Sequence, residues 1–229
     1  MTLSESDTDN EHPDLPARID AATALRRLAH AIVSHRADTA TLNSIAAVAD
    51  TFATKLEADP TRERLDELLA NPRFAAGLKD GMPSRAVEDG AFVDLFHDSP
   101  VSGSANPLSM GLRIRRDGSD AVGTVVLEPG WEGAPGRGHG GIVAACVDET
   151  IGGLLPIIGA LAFTGELTLR YRAPCPLAMP LEFRASLREH VGRKLYVTCS
   201  GASPEGIFVE ATAVFITVDL SHLAGLIDP

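Results

Sequence analysis

The tightest limit on what this chain can fold into is an apolar helical segment broken by two adjacent acids. It runs Gly138-His139-Gly140-Gly141-Ile142-Val143-Ala144-Ala145-Cys146-Val147-Asp148-Glu149-Thr150. A helix that is apolar all round belongs in a core, and a carboxylate buried there is costly unless it is paired, hydrogen-bonded or neutralised. Asp148 and Glu149 therefore need a reason to be there. Adjacent positions on a 3.6-residue helix are rotated by about 100°, so the two acids cannot face one point. Asp148 is expected to serve chemistry. Glu149 is expected to pair with an arginine or a backbone group at a sheet edge, the alternatives being a supporting role at the substrate or a swapped assignment in which Glu149 is the base.

Composition removes several classes of function. The chain has 229 residues, 45% hydrophobic and 22% charged, which is ordinary for a globular protein with a sizeable core. A net charge of −11 argues against nucleic acid as a general partner, because phosphate contact needs a basic surface. Cys146, Cys175 and Cys199 are too few and too scattered for a disulfide framework or a paired-cysteine metal site. No metal is expected, and the cysteine usage fits a cytoplasmic location. The longest uncharged run, Thr150 to Gly165, is interrupted by glycines and Pro156 and falls short of the roughly 20 residues of a spanning helix, so no membrane segment is expected.

The period of the hydrophobic pattern changes near residue 100. Residues 1–14 read as a disordered polar tail, and residues 15–98 as a helical extension. In that extension Leu15, Ile19, Ala22, Leu25, Leu28, Ala29 and Ile32 recur at helical spacing, as do Leu42, Ile45, Ala49, Phe52 and Leu56. A further helix through Leu65, Leu68 and Leu69 stops at Asn71-Pro72. Residues 1–100 carry 18 acids against 10 bases, and the extension reads as a solvated wrap or dimer spacer, with a regulatory or lid role as the alternative. Turn formers between Asp98 and Pro107 connect it to residues 99–221, and residues 222–229 form a short tail. In this second half, strand-like runs start at Leu112 and Ala121, followed by a glycine-rich loop and the apolar helix. Four more runs follow, at Glu166–Arg172, Leu181–Glu189, Lys194–Ser200 and Ile207–Asp219. Strands surrounding one buried helix imply an α+β fold, a curled antiparallel sheet wrapped on that helix.

The order β-β-α-β-β-β-β, with Gly138-His139-Gly140-Gly141 opening the helix and Asp148 nine residues after His139, resembles the hotdog-fold acyl-CoA thioesterases of the PaaI-like, His-Gly-Gly class. The resemblance covers roughly residues 107–219. It implies hydrolysis of acyl-CoA to free acid and coenzyme A, with no cofactor beyond the coenzyme A of the substrate. It places a backbone N–H of the His-Gly-Gly corner, offered by Gly140 and Gly141, against the thioester oxygen. A helix N-terminus suits that task, with unpaired N–H groups and the positive end of the dipole. Asp148 matches the family acid, a general base toward water or a nucleophile. Thr164, sixteen residues after Asp148, matches a hydroxyl that helps hold the water or the acid. His139 is expected to hold the corner by bonding backbone, or to touch substrate through its ring.

Seven residues separate Gly141 from Asp148, about 10 Å along a helix axis. An acid and an oxyanion donor acting on one thioester must then come from different chains. A homodimer with two shared sites is expected, as the resemblance also implies, and a homotetramer is compatible with the same motif. Some members carry an Asn or Gln six residues before the His, where it positions water; here Gly133 stands in that place. Trp131 is expected to line an acyl or aromatic pocket or to plug the fold. Arg170, Arg172, Arg193 and Lys194 are the cations available for coenzyme A phosphates. Two other readings compete: a non-catalytic acyl-CoA sensor, and a hotdog enoyl-CoA hydratase or dehydratase. The last needs an Asp-His pair that the sequence does not offer near Asp148.

Overall fold

The computed structural model describes residues 14–62, 87–93 and 96–218. The helix read through Leu65 and Leu69 and the two chain ends, 1–13 and 219–229, lie outside these residues. Two helices come first, α1 (Leu15–Ser34) and α2 (Thr39–Glu57). Asp38 caps α2, its carboxylate accepting the Thr41 N–H at 2.8 Å. The second half contains β1 (Arg113–Asp117), β2 (Asp120–Val126), α3 (Gly140–Gly152), α4 (Leu154–Ile158), β3 (Ala162–Tyr171), β4 (Pro180–Val191), β5 (Lys194–Ser203) and β6 (Gly206–Thr217). A 3-10 turn, Pro129–Trp131, precedes α3. The six strands form one antiparallel sheet in the order β1-β2-β4-β5-β6-β3. This is the hotdog architecture, a curled sheet around a central helix.

The packing of α3 follows from its sequence. Val143, Cys146, Val147, Thr150 and Ile151 lie at helical spacing on one face and are buried. They meet a sheet face carrying Leu181, Phe183, Leu195, Phe208 and Phe215, all part of one core. Phe183 and Phe208 pack edge to face with centroids 5.7 Å apart. Each large apolar side chain buried here stabilises the fold by about 1.5–3 kcal/mol. Gly123 of β2 lets the helix approach closely, because a Cβ there would lie 2.5 Å from the Thr150 hydroxyl. By length and hydropathy alone Gly140–Ile158 could cross a membrane; in the fold it breaks at Gly153 and sits inside the sheet, with Leu154 and Ile157 of α4 also buried.

The two edges of the sheet are treated differently. Residues 91–93 run along β1: Val93 N–H donates to the Ile114 carbonyl, Arg116 N–H donates to the Ala91 carbonyl, both at 2.9 Å, and the Arg113 guanidinium covers the Phe92 ring. The extension assigned to residues 15–98 is thus not helical to its end. At the other edge, β3 bonds only to β6 and exposes Phe163 and Tyr171 by 58% and 55%.

Candidate active site

The corner that opens α3 is held from several sides. His139 caps the helix: its Nδ1 accepts the Gly141 N–H at 3.0 Å, and its carbonyl accepts from Ile142 and Val143. The expectation that His139 bonds backbone holds. One consequence corrects the sequence reading, which offered Gly140 and Gly141 together as donors. Gly141 spends its N–H on the histidine, while the Gly140 N–H has no acceptor among the described residues. One amide is available to a developing oxyanion. The His139 N–H donates to the Trp131 carbonyl at 2.8 Å, and the Gly138 N–H to the Cys175 carbonyl at 2.9 Å, so the approach to the helix is fixed as well.

Tyr171, at the end of β3, was not singled out by sequence. Its hydroxyl donates to the Gly140 carbonyl at 2.7 Å. The peptide between Gly140 and Gly141 is thereby held at both its oxygen and its N–H. The strict alternation of Glu166–Arg172 placed Tyr171 on a strand, but nothing in it showed which strand end meets the helix. An open cleft of about 640 Å³ lies against this corner, lined by Gly133, Arg137, His139, Gly140, Tyr171 and Arg172, among others.

Asp148 lies eight residues down α3 from Gly140, about 12 Å along the axis. It is exposed in the single chain, contrary to the expectation of a buried acid, because the helix face it shares with Gly141 and Ala144 looks away from the core. Thr164 Oγ1 donates to Asp148 Oδ1 at 3.2 Å, which unites two residues that the family resemblance had linked. That bond fixes one carboxylate oxygen. Replacing Thr164 by Val should lower turnover by roughly tenfold, the scale of one hydrogen bond to a charged group; steady-state rates of the purified variant and wild type measure it.

Glu149 faces elsewhere, as the helical rotation requires. Its partners are hydroxyls, not an arginine or a backbone group: Ser99 Oγ donates to Oε1 at 2.6 Å and Ser102 Oγ donates to the same oxygen. Glu149 anchors the 99–102 loop to α3, and neither a substrate contact nor a swapped catalytic role is supported. Cys146 and Cys175 are no alternative nucleophiles. Burial pushes their thiols up to about 12 and about 11, so neither is a thiolate at neutral pH.

The remaining expectations divide. Trp131 packs against the core and meets the His30 ring of α1 edge to face at 5.6 Å; it is absent from the cleft lining and acts as a plug. Gly133 is pressed on His139, where a Cβ would lie 2.8 Å from His139 Cα. An Asn or Gln does not fit at 133 without moving the corner. The four cations are not gathered in one chain. Arg172 borders the cleft and pairs with Glu210 at 2.5 Å, with exposed Arg170 two residues before it. Arg193 and Lys194 form the β4–β5 turn, where the Arg193 carbonyl accepts the Thr217 N–H. Thr217 pairs with Ala162 at the start of β3 and Arg170 with Glu210 near its end, about 25–30 Å apart. Among the described residues, no cluster of three or more His, Cys, Asp or Glu side chains could hold a metal ion.

No protein-family model matches the chain. It is 31% identical to the acyl-coenzyme A thioesterase THEM4 of Mus musculus over 155 residues, 60% of this chain and 66% of that protein. It is 35% identical to the acyl-coenzyme A thioesterase THEM4 of Xenopus laevis over 96 residues, 40% of this chain and 43% of that protein. The matched region thus spans between about two fifths and two thirds of these curated relatives. Among solved structures, a thioesterase superfamily protein superposes with a TM-score of 0.70 at 25% identity, covering 87% of this chain and 90% of its own. Fold and sequence similarity agree: the chain belongs to the hotdog-fold thioesterase superfamily.

Proposed function

We propose that the protein hydrolyses acyl-CoA thioesters at two sites of a homodimer, each pairing Asp148 of one protomer with the Gly140 N–H of the partner subunit. The observation that carries this reading is the separation on one helix of a free N-terminal amide and an accessible carboxylate, both on the open side of the sheet. The thioester oxygen sits on the Gly140 N–H, at the positive end of α3, where negative charge develops in the transition state. Asp148 takes a proton from water as it attacks the carbonyl carbon, or attacks the carbon itself to give an acyl-enzyme that water then cleaves. The carbon–sulfur bond breaks, coenzyme A leaves as the thiol, and the carboxylate is regenerated.

Assembly is supported by the sheet edges. β1 is covered by residues 91–93, while β3 is left open with exposed apolar side chains, and an uncovered edge strand invites pairing with another chain. Antiparallel pairing of two β3 strands about a two-fold axis near Leu167 and Thr168 sets Thr164 of one chain beside Tyr171 of the partner subunit. The same operation carries Asp148 toward the other chain's Gly140, and the Arg193–Lys194 turn toward its cleft. Reversing both cations to Glu should raise KM for acyl-CoA by roughly tenfold and leave an acyl-pantetheine thioester, which lacks the nucleotide phosphates, little changed. Equal effects on both substrates would remove these residues from phosphate binding.

A screen of free-thiol release from short, medium, long and aromatic acyl-CoAs tests the activity. Release from at least one class, dependent on Asp148, is expected. Saturable acyl-CoA binding with no thiol release would favour the sensor reading instead.

A further inference from the structure

The N-terminal helix meets the thioesterase domain by only part of its apolar repeat. Leu25, Leu28 and Ile32, later members of its apolar repeat, stay 51%, 38% and 44% exposed, while Leu15 and Ile19 are half-buried. The docking stripe is Ala22, Arg26 and His30, spaced four residues apart, with Ala22 buried at 2% exposure. Arg26 and His30 reach two different loops.

His30 takes the loop before the catalytic corner. Its Nδ1 accepts the Gly130 N–H at 3.2 Å, and its ring packs edge to face on Trp131. Gly130 makes the approach possible, because a Cβ there would lie 2.4 Å from the imidazole nitrogen. The Trp131 carbonyl in turn accepts the His139 N–H, and His139 caps Gly141. Arg26 takes the other loop: its guanidinium donates to the Ser104 and Asn106 carbonyls. Asn106 ties to the Asp98 carbonyl, and Ser99 and Ser102 hold Glu149, the neighbour of Asp148. One helix face thus ends in both termini of the reactive segment of α3.

We propose that α1 braces the active site in cis, with His30 and Arg26 as positioning residues that fix, respectively, the oxyanion corner and the loop beside the acid. The catalytic part rests on the thioesterase reading above. A developing oxyanion is stabilised only by a donor held at the right place, and misplacing it by about 1 Å costs on the order of a hundredfold. The brace therefore acts on turnover more than on substrate binding.

Three variants of the full-length protein test it: His30→Ala, His30→Gln and Gly130→Ala, the last displacing the imidazole from the opposite side. Backbone amide exchange over residues 138–143 is read together with kcat, KM and the number of coenzyme A sites per chain. His30→Ala and Gly130→Ala are expected to speed exchange there and to lower kcat about tenfold, with KM within about twofold and site number unchanged. His30→Gln, whose amide oxygen can accept the same N–H, should recover most of the rate. Arg26→Ala should loosen residues 99–106 and 147–150 instead. In an active enzyme, kcat within about twofold of wild type in His30→Ala overturns the proposal, as does a rate loss matched by an equal loss of coenzyme A sites. If wild type releases no thiol from any acyl-CoA, the thioesterase reading has failed; amide exchange then decides the brace alone, and unchanged exchange over 138–143 in His30→Ala overturns it.

Discussion

Asp148→Asn is expected to lower acyl-CoA hydrolysis by roughly 10²–10⁴-fold while folding, assembly and coenzyme A affinity persist, because a positioned general base is worth about that much. The substitution is nearly isosteric, and its site is exposed in the single chain, so no buried charge is orphaned and the core packing is undisturbed. Thr164 Oγ1 can still donate, now to the amide oxygen. What disappears is the ability to take a proton or attack carbon. Turnover by the purified variant, with coenzyme A binding measured in parallel, checks the expectation, and near-wild-type rates would remove Asp148 from the mechanism.

The second large effect is expected at Gly140, the first residue of α3, where proline deletes the amide hydrogen and little else. Proline is favoured at the first helical position because that N–H has no partner within the helix. It also restricts the residue before it to extended backbone, which His139 already adopts, with φ −63° and ψ 131°. A Cβ at 140 would lie 3.4 Å from the Tyr171 hydroxyl, ordinary van der Waals contact. Gly140→Pro should therefore fold and lose about 10²–10³ in kcat, the scale of one missing oxyanion donor. Gly140→Ala, which keeps the N–H and adds the same Cβ, is the control and should remain active. Equal activity of the two would show that the amide is not used.

Much of this geometry is local and was legible as such. The 3.6-residue period separated Asp148 from Glu149, alternation marked the strands, and the family resemblance linked Asp148 to Thr164, which now share a hydrogen bond. The fold class followed from the order of those periods. What escaped depends on residues distant in sequence. That Gly141 is occupied and Gly140 free is set by the His139 rotamer, which a Gly-Gly pair does not encode. Glu149 finds its serines some fifty residues upstream, and Tyr171 reaches Gly140 only because the end of β3 passes the helix N-terminus. The apolar repeat of α1 marked the docking face only in its first half, where Ala22 is buried and Leu15 and Ile19 are half-buried; beyond it docking is done by a guanidinium and an imidazole while Leu25, Leu28 and Ile32 stay exposed. Burial of Asp148 was expected from an apolar helix, yet its stripe of small residues lies on the side the sheet leaves open.

Complementation between the two inactive variants tests directly whether each active site needs two chains. Asp148→Asn and Gly140→Pro proteins are unfolded together in equal amounts, refolded and assayed. If each site joins an acid from one chain to an amide from the other, half the dimers are mixed and one of their two sites is intact. Thiol release should then return to about a quarter of the wild-type rate, as isologous symmetry requires. If each site lies within one chain, every site carries a lesion, and the mixture would stay as inactive as its components.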